Sequence, residues 1–265
     1  MPTGAPPTGR TALPPRPWRP VVTLSAVLVG GLLAGSAAAG VLPLALALVM
    51  ASALVVSGWV LLLNLPSPRG TAWVLTVSAV VMVGVVLVSG LDGVRWLPVA
   101  VALSLIAEFG HQLARRDGRP RLVQSVSATV AGIAIIASGV SMLPLSRFVG
   151  GRQIVAILMA AGAVAAIADV ATRWRTPPIV GAVVAAGLGA VAAGTGAALV
   201  PASGVPVLSA AAVGALAGSA GHLVRRVQAV LPYLYGRRAQ LASGAGSVLM
   251  LGVLAHVAAW LGTIW

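Results

Sequence analysis

The chain has 265 residues, of which 59% are hydrophobic and only 8% charged, and its mean hydropathy is +1.03. Those values exclude a water-soluble core inside a polar shell and call for helix faces that meet lipid. The formal charge of +13 comes from 17 arginines, without lysine, set against 4 acidic residues. Nearly all of the arginines flank apolar runs, so no soluble basic domain exists to bind nucleic acid. Cysteine is absent, which rules out disulfides, thiolate metal sites and cysteine nucleophiles.

In chain order, residues 1–20 (MPTGAPPTGRTALPPRPWRP) hold too much proline and too few apolar side chains to pack. They read as a disordered cytoplasmic tail ending at the membrane surface. The run from Val21 to Gly40 ends in "SAAAG", as a cleavable signal peptide would. It is long for such a segment and a second apolar run follows at once, so it reads as a retained span. Proline, glycine and arginine breaks divide residues 21–265 into about nine candidate spans of roughly 20 residues, the length that crosses about 30 Å of hydrocarbon. They cover 21–40, 42–65, 71–90, 97–114, 123–143, 154–174, 179–200, 207–227 and 241–263. The expected fold class is therefore all-α: a polytopic transmembrane helix bundle forming one domain behind the tail.

Charge orients the spans. With the N-terminus inside, Arg95, Arg147 and Arg152 fall in outer loops and the other 14 of the 17 arginines fall inside. This positive-inside bias puts the N-terminus in the cytoplasm and the C-terminus outside. The expected location is a bacterial cytoplasmic (inner) membrane. Spacings such as Ala185/Gly189 and Gly214/Gly218 allow helix backbones to approach closely where lipid offers no hydrophobic drive.

Ionisable residues inside the spans are few, and each is costly there. Three sets share one pattern, a small residue, then His or Asp, then Arg, at intervals of four: Ala107-His111-Arg115, Ala165-Asp169-Arg173 and Gly218-His222-Arg226. That interval keeps each set on one helix face. Glu108 lies one turn deeper than His111 and shares its stripe with Arg115. All three helices run from outside to inside, so the sets are expected to gather at the cytoplasmic end, and their hairpins hint at a parallel repeat. One reading makes Glu108, His111, Arg115, Asp169, Arg173, His222 and Arg226 a site for an anionic group or a proton relay. The plainer reading makes them pairs that register the bundle. His256, alone on an apolar helix, reads as a packed or hydrogen-bonded histidine.

No glycine-rich phosphate loop, HExxH or GxSxG motif occurs. No catalytic residue, metal site or cofactor is expected. These features together suggest a non-enzymatic membrane protein, a transporter or lipid-translocating component that handles an anionic solute or lipid head group. The alternatives are a non-catalytic scaffold or regulatory subunit of a cell-envelope complex and, with fewer features behind it, a membrane-embedded lipid-phosphate enzyme. The expected partners are anionic membrane lipids at the cytoplasmic face, and a protein docking on the 1–20 tail or on the 228–240 loop, QAVLPYLYGRRAQ.

Overall fold

In the computed structural model, which describes residues 19–171, 176–201 and 204–264, every regular element is a helix. The tail of residues 1–18 lies outside the described residues. The long helices are α1 (Pro20–Ala39), α2 (Val41–Leu62), α3 (Pro68–Ser89), α4 (Gly93–Ala114), α5 (Leu122–Val140), α7 (Gly151–Ala166), α9 (Pro178–Leu199) and α10 (Val207–Gln228). Two short pieces, α6 (Met142–Leu145) and α8 (Ala168–Ala171), continue α5 and α7, while α11 (Arg237–Leu249) continues into α12 (Gly252–Ile264).

Among the described residues, 8 continuous helical segments are long and apolar enough to cross a membrane, where about nine were expected. The difference lies at "LDGVRW". Instead of a loop, Gly90–Asp92 forms a 3-10 turn, so Pro68–Ala114 is one helical segment of 47 residues. Gly90 takes a left-handed φ of 61° there, a conformation glycine adopts without steric cost. The chain reverses at this turn: α3 and α4 pack side by side, and the Ser67 hydroxyl lies 3.4 Å from His111 Nε2.

The bundle is built around α11. Its sequence, RRAQLASGAGSVL, is poor in large apolar residues, yet every residue from Ala242 to Leu249 is buried. Small side chains let α1, α2, α5, α7 and α10 close in around it. The outer faces of the bundle carry exposed leucines, valines and isoleucines, such as Leu28, Leu46, Val80, Ile106 and Leu208, which suit a hydrocarbon surround.

Side-chain bonds to backbone carbonyls tie the loops at either end. At one end, Arg121 donates to the Asn64 carbonyl (2.5 Å), Arg19 to that of Leu234 (2.6 Å) and Arg226 to that of Thr176 (3.2 Å). At the other, Arg147 donates to the Leu87 carbonyl (3.0 Å). The expected 228–240 loop is shorter, since α11 begins at Arg237; within it Leu234 is buried and the Arg19 guanidinium lies over the Tyr235 ring at 4.8 Å.

Three helices are interrupted, at Ser141, Ile167 and Met250–Leu251. The first and third interruptions face each other. Ser138 Oγ donates to the Met250 carbonyl (3.0 Å) and accepts from the Val253 N–H (3.2 Å), while His256 Nε2 bonds the Ser141 carbonyl (2.9 Å). Backbone groups freed inside a membrane need such partners, and His256 supplies one.

The most extensive helix pairing is between α9 and α10. A methyl group at Gly189 would overlap the Gly214 carbonyl, and one at Gly218 would overlap that of Ala185. Gly187, two residues from Gly189, faces open space. Gly214→Leu should therefore lower the melting temperature of the detergent-solubilised protein, at a cost of about 1–3 kcal/mol or more from overpacking. Gly187→Leu should leave the melting temperature nearly unchanged, and thermal-shift curves of the two variants check the pair.

Candidate functional site

The structure builds two polar centres at the arginine-rich end of the bundle, not one gathered cluster. The first depends on the interruption of α7. Ile167 N–H bonds the Val164 carbonyl and Val170 N–H bonds the Ile167 carbonyl, both three residues back, so the chain tightens into a 3-10 turn. The following short helix, α8, presents Asp169 to α10. Asp169 Oδ1 lies 2.7 Å from His222 Nδ1, and Asp169 Oδ2 accepts from Arg225 Nε at 2.5 Å. The side chains are only 15%, 5% and 4% exposed for Asp169, His222 and Arg225.

His222, Arg225 and Gln228 follow one another at intervals of three on α10, which keeps them on one face. That face meets small residues of α11. Arg225 Nη1 bonds Ser247 Oγ (3.2 Å), and Ser243 Oγ donates to Gln228 Oε1 (2.5 Å). The His222 ring occupies space left by Gly181 of α9, where any side chain would collide with it. Its Nε2 has no hydrogen-bond partner, nor does Arg225 Nη2.

The second centre lies where α4 packs on α3 and α5. The buried face of α4 carries Ser104, Glu108, Gln112 and, just past its end, Arg115. Glu108 has no exposed surface, and its Oε1 accepts from Gln112 Nε2 at 2.6 Å. Gln112 Oε1 in turn accepts from Arg115 Nη1 at 2.8 Å. Arg115 Nε and Nη2 clasp the two oxygens of Asp117 at 3.1 and 2.8 Å, a fork-to-carboxylate pair. These bonds from Arg115 hold the Asp117 carboxyl, which lies in the loop outside the spans, below the usual carboxylate range.

The expected stripes are thus partly redrawn. Ala107 is exposed, while Glu108 and Arg115, expected on one stripe, are both buried. His111 lies on the flank against Gly70 and Ser67 of the α3 side. On α10 the residue that reaches Asp169 is Arg225, one position before the expected Arg226, which bonds the Thr176 carbonyl instead. Arg173 lies outside the described residues. The two centres stay apart because α4 packs on α3 and α5, whereas α10 packs on α9, α7 and α11. The expected parallel repeat also fails, since α5 and α7 do not pack as a hairpin.

Sequence reasoning missed Gln112, Arg225, Gln228, Ser243 and Ser247. A search at intervals of three as well as four from His222 would have reached Arg225 and Gln228. The serines of α11 carry no such signal, because their role comes from the neighbours that surround them.

No protein-family model, curated protein or solved structure matches this chain.

The redrawn stripe makes a direct prediction. Arg225→Ala strips the buried Asp169 of its cation, a change that costs about 3–5 kcal/mol where one member of a buried pair is removed. Arg226→Ala removes one bond to a carbonyl, worth about 1–3 kcal/mol for a charged donor. Thermal denaturation in detergent should therefore show the larger loss for Arg225→Ala. A larger loss at Arg226 would restore the stripe read from the sequence.

Proposed function

We propose that this chain is a non-enzymatic integral membrane protein of a bacterial cytoplasmic membrane that takes part in transport. Its arginine-rich end faces the cytoplasm and handles an anionic solute or lipid head group. The observation that supports this most is Asp169, a buried charge on the short helix after the α7 interruption, bonded to His222 and Arg225 of a different helix. Interrupted helices carrying buried ionisable groups are the recurring material of membrane transporters.

The geometry changes which arginines meet the anion first. Arg115 and Arg225 are already engaged by Asp117 and Asp169. First contact therefore belongs to Arg69, Arg116, Arg237 and Arg238, which are exposed at that end. Guanidinium groups suit phosphate and carboxylate oxygens, and an anionic leaflet adds a general attraction.

A scaffold role is the second reading. It is favoured by the close packing around α11 and by a small cavity of about 20 Å³ between α7, α9, α10 and α12, lined by apolar residues such as Ile154, Leu158 and Val213. Such a cavity offers no polar path.

Native mass spectrometry of the protein extracted gently from its own membrane separates the two. The transport reading expects a bound anionic lipid or solute, depleted in Arg237→Ala/Arg238→Ala and retained in Arg152→Ala at the opposite end. A stoichiometric protein partner with no such ligand would overturn it in favour of the scaffold.

A further inference from the structure

Of the four acidic residues in the chain, three have an ion pair: Asp92 with Arg95 (3.7 Å), Asp117 with Arg115, and Asp169 with Arg225 and His222. The fourth, Glu108, is the most deeply buried and has none among the described residues. Its Oε1 is held by Gln112, while its Oε2 is buried without a hydrogen-bond partner.

Two further orphan atoms belong to the same place. Hydroxyls on membrane helices commonly donate to a carbonyl one turn back, as Thr76, Ser104, Thr129 and Thr195 do here at 2.7–2.9 Å. Thr71 and Ser125 make no such bond. Their exposures are 0% and 1%, and their hydroxyl oxygens have no partner.

Helix register brings the three together. Gly70 on α3 abuts His111 on α4, one turn from Glu108. The Leu75 side chain packs against Gly132 of α5. Thr71, one turn before Leu75 on the same face, therefore meets the turn of α5 that holds Ser125 and Thr129. Thr129 also faces Glu108, and its proton is committed to the Ser125 carbonyl. Register thus places three buried oxygens without hydrogen-bond partners, one each from α3, α4 and α5, at one level of the same seam.

We propose that Glu108 Oε2, Thr71 Oγ1 and Ser125 Oγ form a binding site for a small monovalent cation, sodium being the natural occupant. The donor set is all oxygen, which suits a hard cation and offers nothing to a soft one. It carries one carboxylate, so one positive charge balances it. Among the described residues no three His, Asp or Glu side chains converge to balance a divalent ion. The neighbouring charges do not fill the role. On α4, Arg115 is committed to Asp117 and Gln112, and His111 lies beside Ser67 and Gly70. Arg69 in the first turn of α3 is exposed, and Arg121 before α5 bonds the Asn64 carbonyl.

This site deepens the transport reading by naming a coupling ion, and it rests on that reading only for its purpose. The test is thermal denaturation of the purified full chain, with sodium chloride exchanged for N-methylglucamine chloride at constant ionic strength, at pH 7 and pH 9. The melting temperature of the wild type should rise with the logarithm of sodium concentration, as mass action on the folded state requires. Glu108→Gln should abolish the rise, and Thr71→Val or Ser125→Ala should shift it to higher sodium concentration. If Glu108→Gln fails to accumulate, the two hydroxyl variants decide alone. A sodium response equal in wild type and variants overturns the site. So does no sodium response at either pH, including the case in which pH alone shifts the melting temperature and Glu108→Gln removes that shift, which would assign the pocket to a proton. A sodium response in a protein that holds no anionic ligand by mass spectrometry would keep the site and remove transport. Bound ligand without a sodium response would do the reverse.

Discussion

Charge cannot be left unanswered at membrane depth, and that constraint organises this bundle. Neither water nor lipid inside the hydrocarbon can answer a carboxylate or guanidinium, so a partner must come from another helix or a nearby loop. Asp169 is answered by His222 and Arg225, which fixes α8 against α10. Arg115 is answered by Asp117 and by Gln112, which folds the loop after α4 back onto its end. The interruption at Ile167 is part of the same solution, because tightening the chain there presents Asp169 toward α10.

The polar contacts work only because small residues make room for them. A side chain at Gly181 would displace the His222 ring, and bulk in α11 would push α10 away from Ser243 and Ser247. Packing and charge are thus linked: α11 is buried on every side by virtue of its alanines, glycines and serines, and its serines supply hydrogen bonds within the seam they open. It touches both α5 and α10, a helix from each polar centre. Each centre closes on its own helices. One centre thus holds its acid in an ion pair, and the other holds an acid with no ion pair among the described residues.

Much of this was legible in the sequence because a membrane imposes long, visible periods. Span lengths, the all-helical class and the dividers at proline and glycine follow from hydropathy. The division at "LDGVRW" is a helical turn where a loop was expected, because a 3-10 turn can reverse a chain without leaving helical geometry. The need for partners around Glu108, Asp169 and His222 was legible from their position. The partners themselves were less so. Arg225 and Arg226 are adjacent in sequence but about 100° apart on a helix, and which of them faces inward is decided by how α10 packs on α7, α9 and α11. Gln112 and the α11 serines are ordinary residues until burial makes them costly to leave unbonded. Whether the stripes gathered or separated was set by helix order across the bundle, which no periodicity within a single helix contains.

The separation of the two centres is the claim on which the rest depends, and a double-mutant cycle tests it most directly. Unfolding free energies would be measured for Glu108→Gln, Asp169→Asn and the double variant in sodium-free detergent solution. Centres closed by different helices predict additive effects, within about 0.5 kcal/mol. A coupling energy well above about 0.5 kcal/mol would mean that the two acids share one network, and the two-centre account would be wrong.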